Sequence, residues 1–198
     1  MFLEPSGPGR PLPHDGKPSA WVQRFTGLIP FGGNVLDLAC GSGRHVRWLS
    51  ARGFALTGVD RDAGALAALA TACPQAELIT ADVEAGPWPL AGRQFDGIVV
   101  TNYLWRALFA PLRAALAEGG VLIYETFADG QQQVGKPSRA DFLLQNGELL
   151  TAFAGLRVVA FEDGFEAPPG RFVQRIAAVN AAAGASQAPR YGLAGPAS

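Results

Sequence analysis

From residue 34 onward, short continuous apolar runs alternate with stretches whose apolar residues recur at helical spacing. The runs at 34–39, 54–60, 76–80, 95–101 and 121–127 are rich in Val, Leu, Ile and Phe, and predict buried strands. Between them, residues 44–52 predict a short helix closed by Gly53. Asp62 predicts the cap of a helix through Ala65, Leu66, Leu69 and Ala72, with Pro74 beyond its end. Residues 104–117 predict another helix, flawed by Pro111 and closed by Glu118-Gly119-Gly120. Gly86-Pro87-Trp88-Pro89 cannot be helical, so the crossover before the fourth strand is expected to be loop. Ser19 is placed to cap a helix through Trp21, Val22, Phe25 and Leu28, which Pro30 stops.

After a polar stretch, residues 146–154 suggest one more helix, and 156–162 and 172–179 two more strands. The connection 163–171 is too short and too rich in Pro and Gly for a crossover helix, so these last strands are expected to be antiparallel neighbours. Alternating strands and helices with apolar strands imply an α/β fold: a doubly wound, Rossmann-like sheet of seven strands, mostly parallel, covered on both faces.

The ends of the chain read differently. Residues 1–18 carry Pro at 5, 8, 11, 13 and 18 and are expected to be a flexible arm; residues 181–198, rich in Ala, Gly, Ser and Pro, are expected to be a disordered tail. The folded unit expected is 19–180. Within 198 residues, 48% are hydrophobic and 17% charged, and the net charge is −1. That suits one soluble domain, and supplies no global positive field to draw nucleic acid or an anionic membrane, so neither partner is expected. Two cysteines, Cys40 and Cys73, are too few for a disulfide framework. The N-terminus lacks the pattern of a signal peptide, and no apolar stretch is long enough to span a bilayer, so a cytoplasmic protein is expected. Oligomeric state is not legible, and no metal-binding pattern stands out.

Candidate chemistry concentrates at the end of the first strand, Asp37-Leu38-Ala39-Cys40-Gly41-Ser42-Gly43. Glycines there permit a tight turn and close approach of a ligand to the backbone, with a helix starting beyond. Dehydrogenases use the same geometry, but the third glycine of G-x-G-x-x-G is missing, its place taken by Val46, and an acid, Asp37, stands four residues before Gly41. Asp60 ends the second strand 17 residues after Gly43, where a carboxylate can accept from both hydroxyls of a ribose. Asp82 follows the third strand in Thr80-Ala81-Asp82-Val83.

The Asp37–Gly43 stretch closely resembles motif I of the class I S-adenosylmethionine (SAM)-dependent methyltransferases, D/E-x-G/A-x-G-x-G, matched at Asp37, Ala39, Gly41 and Gly43. The five strands and terminal hairpin resemble that family's fold, in which the last strand inserts antiparallel. The resemblance spans about residues 19–180 and is strongest over 34–127. It implies SAM as cofactor, held by Asp37, Ala39, Gly41, Ser42 and Gly43 at the turn. Asp37 or neighbouring carbonyls would orient the α-ammonium, directly or through water. Asp60 would bind the ribose, Arg61 flank the adenine, Asp82 accept from the adenine amino group and Val83 offer its backbone N–H. Gly135-Lys136-Pro137-Ser138, with Phe142-Leu143-Leu144 and Gly147-Glu148-Leu149, is similar to small bacterial methyltransferases of the tellurite-resistance type.

The methyl acceptor is expected across the crevice, at the end of the fourth strand in Thr101-Asn102-Tyr103-Leu104. Thr101 and Asn102 are expected to border the cofactor. No N-P-P-Y/F/W occurs here, which turns the expectation from base amines toward another small-molecule acceptor. Two residues are catalytic candidates. Tyr103 would wall the methyl group or else pack on the helix; Glu125 would bind a substrate amine or else pair with a nearby arginine. His45 reads as structural or near the cofactor tail. The loop after Phe127 is a candidate lid, with Lys136 and Arg139 as anion-binding candidates or plain surface charge. Trp21 and Arg24 are candidates near the SAM carboxylate. The rival functions are a non-catalytic SAM-binding regulatory subunit and an NAD(P)-dependent oxidoreductase.

Overall fold

A computed structural model describes residues 16–182 and 190–193 of the chain. Most of the arm expected over 1–18 and of the tail expected over 181–198 therefore lies outside the described residues. Seven strands form one sheet: β1 (Asn34–Leu38), β2 (Ala55–Asp60), β3 (Glu77–Thr80), β4 (Phe95–Thr101), β5 (Leu116–Phe127), β6 (Arg157–Glu166) and β7 (Arg171–Val179). Their order is β3-β2-β1-β4-β5-β7-β6. The first five are parallel, and β7 runs antiparallel to both β5 and β6. This is the Rossmann-like, mostly parallel seven-stranded sheet that the sequence predicts.

Helices cover both faces, because the buried strands present apolar side chains to either side. On one face lie α1 (Ala20–Phe25), α2 (Arg44–Ser50) and α3 (Ala63–Ala72), which contribute Trp21, Phe25, Val46, Leu49, Leu66 and Leu69 to a core with Val35, Val99 and Ile123. On the other lie α4 (Phe109–Ala114) and α5 (Glu148–Ala152), whose Leu112 and Leu149, with Phe153 just beyond α5, pack on Leu36, Ile98, Leu122 and Tyr124. The helix after β1 and the helix after β4 thus fall on opposite faces. The sheet order reverses between these two strands, the place where an open α/β sheet forms its binding crevice outside the strands' carboxyl ends. Among the described residues no helix is long and apolar enough to cross a membrane.

Boundaries differ from expectation where long-range partners intervene. The helix expected over 104–117 is only a 3-10 turn (Arg106–Leu108) followed by α4. Pro111 falls in the first turn of α4, where a missing N–H costs nothing. Strand β5 starts at Leu116, five residues early, because the chain there is held by Asn180. The Gly119 N–H donates to the Asn180 carbonyl at 2.7 Å, and the Asn180 side chain donates to the carbonyls of Leu116 and Ala117, each at 3.0 Å. The final hairpin is also longer than expected. Residues 163–166 pair with 171–174, leaving a short turn where the sequence suggested a loop. The helix that Ser19 caps ends at Phe25 and continues as a 3-10 turn through Leu28. Asp62 caps α3 as expected, accepting from the Ala65 N–H at 2.9 Å.

Candidate active site

Three left-handed residues shape the turn after β1: Ala39 (φ 53°), Gly41 (φ 54°) and Gly43 (φ 77°). The two glycines serve different ends. A Cβ on Gly43 would run into Leu69 Cδ1 and Cδ2, so Gly43 lets α3 close onto the turn. A Cβ on Gly41 would meet nothing within 4 Å among the described residues, so Gly41 faces open space there. Ser42 is exposed, and its carbonyl accepts from the Arg47 guanidinium.

The acid at the end of β2 is tied to this turn. Asp60 Oδ2 accepts from the Gly41 N–H at 2.7 Å, and Oδ1 accepts from the Asp62 N–H at 2.9 Å. Each oxygen keeps a lone pair for a further donor. Arg61 follows, exposed. After β3, Asp82 Oδ1 accepts from the backbone N–H groups of Glu84 at 2.9 Å and Ala85 at 3.3 Å, an Asx turn that holds the half-buried Val83 at the same end of the sheet. The parallel register β3-β2-β1 therefore brings Asp82, Asp60 and the Asp37 turn to one edge.

Asp37 itself is 1% exposed. Burial pushes its carboxyl up to about 7; the nearby Arg44 guanidinium opposes this, the charge of Asp60 adds to it, and a hydrogen bond from the Val46 backbone opposes it. Among the described residues its Oδ2 is buried without a hydrogen-bond partner, 4.0 Å from His45 Nδ1. A buried acid left short of donors at the base of an open turn is suited to a cationic ligand.

Across the crevice, Thr101 Oγ1 accepts from Arg44 Nη2 at 3.3 Å. Asn102 is left-handed (φ 53°), and its backbone N–H donates to the Glu125 carbonyl at 2.9 Å. Non-glycine residues in this conformation gather where the backbone is shaped for function. Tyr103 is half-buried. Its hydroxyl donates to Glu84 Oε1 at 3.2 Å, and its carbonyl accepts from the Tyr124 hydroxyl at 2.9 Å. Burial raises the Tyr103 phenol well above its usual range, and the adjacent Glu84 carboxylate raises it further, so the hydroxyl stays protonated.

Glu125 takes the second of its two readings. It is 1% exposed and lies within 3.5 Å of Arg171 Nη2 and 3.2 Å of Arg175 Nη1, and Ser19 Oγ donates to it at 3.0 Å. Glu166 and Glu162 complete the network on Arg175.

Several of the other candidates have protein partners. Trp21 is a core residue whose Nε1 donates to the Ile176 carbonyl at 3.2 Å, and Arg24 pairs with Glu162 at 3.3 Å on the surface. The segment after Phe127 is pinned. Buried Gln131 accepts from the Phe172 N–H at 2.9 Å, and Arg106 grips Glu148 through two nitrogens while donating to the carbonyls of Asp141 and Leu143. Arg139 pairs with Asp141 in solvent.

Sequence reasoning did not foresee the role of Arg44, which bridges Thr101 and the Lys17 carbonyl, nor Glu84, nor the contact of Ser19 with His45. These pairs are 19 to 57 residues apart, beyond any local pattern.

Residues 35–120 match a family described as a methyltransferase domain. That span holds the turn, Asp60, Asp82 and Tyr103. No curated protein matches the chain. Among solved structures, TehB from Haemophilus influenzae is 19% identical with a TM-score of 0.64, and the match covers 78% of this chain and 59% of that one. This chain thus spans less than two thirds of that protein's length. A TehB-like SAM-dependent methyltransferase from Corynebacterium glutamicum is 21% identical with a TM-score of 0.57, covering 77% of this chain and 83% of that one. The glycopeptide N-methyltransferase MtfA, complexed with SAM, is 20% identical with a TM-score of 0.54, covering 76% and 88%. At these identities the likeness shows a shared fold.

Proposed function

We propose that this chain is a class I SAM-dependent methyltransferase that moves the SAM methyl group to a small-molecule acceptor by in-line displacement. The observation that carries the reading is the convergence of three acids at the ends of three adjacent parallel strands, around a turn whose Gly41 faces open space.

The residues present fit SAM. Asp37 Oδ2, buried and without a hydrogen-bond partner among the described residues, suits the α-ammonium, and the room beside Gly41 admits a ligand against the backbone. Asp60 binds the ribose hydroxyls through its remaining lone pairs. Asp82 and the Val83 N–H take the adenine edge, with Arg61 beside it. Ala39, Ser42 and Gly43 complete the turn, and Thr101 and Asn102 border its far side. Bound SAM supplies a methyl group activated by its sulfonium.

The protein's part is then to orient the acceptor and exclude water. Tyr103, protonated and engaged by Glu84, walls the acceptor rather than taking its proton. Glu125 is already neutralised by two arginines, and organises the floor of the site. This arrangement favours an acceptor that attacks with its own lone pair, for which no base is required. MtfA, a glycopeptide N-methyltransferase of the same fold complexed with SAM, lends support to the cofactor.

Calorimetry with SAM, S-adenosylhomocysteine and NADH tests the cofactor: SAM and S-adenosylhomocysteine should bind, and binding of NADH alone overturns the assignment. A labelled-methyl screen across metabolite pools tests turnover. Label should appear in a small molecule; tight SAM binding with no labelled product would favour the non-catalytic, SAM-binding alternative.

A further inference from the structure

A buried polar chain joins the cofactor turn to the segment entering α1. His45, in the first turn of α2, is 2% exposed. Its Nε2 accepts from the Ser19 backbone N–H at 3.1 Å. In the neutral ring the proton is then on Nδ1, and Nδ1 faces Asp37 Oδ2 at 4.0 Å. Ser19, 8% exposed, donates through Oγ to Glu125 Oε1 at 3.0 Å and caps α1 through the Trp21 N–H at 3.1 Å. Arg44 Nη1 donates to the Lys17 carbonyl at 3.3 Å. Residues 17–19 thus rest on α2 and β5, beside the carboxyl ends of β1 and β4.

We propose that His45 is a positioning residue that couples Asp37 to residues 17–19, so that a cofactor ammonium held by Asp37 tightens this segment over the site. The inference rests on the SAM reading above. At 4.0 Å the Asp37–His45 pair is short of a hydrogen bond. Burial favours the neutral carboxyl when no ligand cation is present. An ammonium favours the carboxylate, and a carboxylate is the stronger acceptor for the Nδ1–H. Drawing that proton toward Asp37 makes Nε2 a better acceptor for the Ser19 N–H, as hydrogen bonds in a chain strengthen one another. Other charges around the chain are Arg44 on α2 and Asp60 on β2 beside Asp37, and Arg171 and Arg175 on β7 behind Glu125. A satisfied core histidine would show the same burial but no response to a ligand.

Amide exchange read by mass spectrometry separates the two. S-adenosylhomocysteine carries the ammonium, and 5′-methylthioadenosine carries the nucleoside without it. At saturation set by calorimetry, S-adenosylhomocysteine should slow exchange over residues 17–22 about tenfold, the scale of one hydrogen bond, and 5′-methylthioadenosine should not. His45→Gln keeps an acceptor for Ser19 but no donor toward Asp37, so it should keep the unliganded exchange rate and lose the response. His45→Asn keeps the donor but not the acceptor, so its unliganded rate should already be fast. Equal slowing by both ligands, or a full response in His45→Gln, overturns the coupling alone. Failure of the wild-type chain to bind S-adenosylhomocysteine overturns the SAM reading and the coupling together. The wild-type comparison needs no variant to fold.

Discussion

Asp60 accepts a hydrogen bond from the Gly41 backbone N–H at 2.7 Å, so the acid that ends β2 also braces the turn that ends β1. Asp60→Ala should therefore weaken SAM binding and loosen the turn together. Hydrogen bonds to a charged group contribute about 1.5–3 kcal/mol each, so calorimetry should find SAM bound roughly tenfold to a hundredfold more weakly. Unchanged affinity would remove Asp60 from the site.

Gly41 and Gly43 should fail differently. Gly43→Ala strains a φ of 77° and drives a Cβ into Leu69, and should lower stability by roughly 2–5 kcal/mol. Gly41→Ala carries only the backbone strain, about 1–2 kcal/mol, but fills the ligand's space. Thermal unfolding should distinguish Gly43→Ala, and SAM titration should distinguish Gly41→Ala.

Asp37 should give the unliganded protein an inverted pH dependence. Its folded value, about 7, lies above its ordinary 3.8, so the folded state holds a proton that the unfolded chain releases. The stability this supplies is fully present below about 4 and is lost as pH rises through about 7. Asp37→Asn should flatten that fall. The difference in melting temperature between wild type and Asp37→Asn, followed from pH 4 to 8, checks it; parallel curves would contradict a buried, neutral Asp37.

Tyr103→Phe removes the hydroxyl held by Glu84 and keeps the ring. If the ring acts as a wall, labelled-methyl turnover should stay within about fivefold of wild type. A loss of 100-fold or more would make the hydroxyl a proton carrier.

Arg106 joins the end of β4 to the segment after β5 through Glu148 and two carbonyls. Arg106→Ala should expose residues 128–147 to limited proteolysis. Arg106→Lys should not rescue it, because an ammonium cannot reproduce the planar fork that grips Glu148 and both carbonyls. Full protection in the lysine variant would show that charge alone holds the segment.

The strands, the capping roles of Ser19 and Asp62, and the acids at three strand ends were legible in the chain because each is a local pattern of periodicity or spacing. Helix 104–117 was misjudged because Asn180, far along the chain, captures residues 116–120 into the sheet. The hairpin was underestimated for a related reason: Phe165 packs at a tilt on Phe172, 4.9 Å between ring centroids, and Arg171 reaches Glu166, pairings that extend β6 and β7 into a stretch that reads as loop.

By itself the sequence determined the alternation of strands and helices and the turn chemistry of 37–43, since backbone propensity and side-chain period act over a few residues. Only the tertiary structure decided what each polar side chain meets. Glu125 reads equally as a substrate ligand or an ion-pair partner until β7 lays Arg171 and Arg175 beside it. His45 reads as structural or near the cofactor tail until Ser19, 26 residues earlier, returns to its ring. Burial and charge partners are properties of packing, and packing joins residues that no local pattern connects.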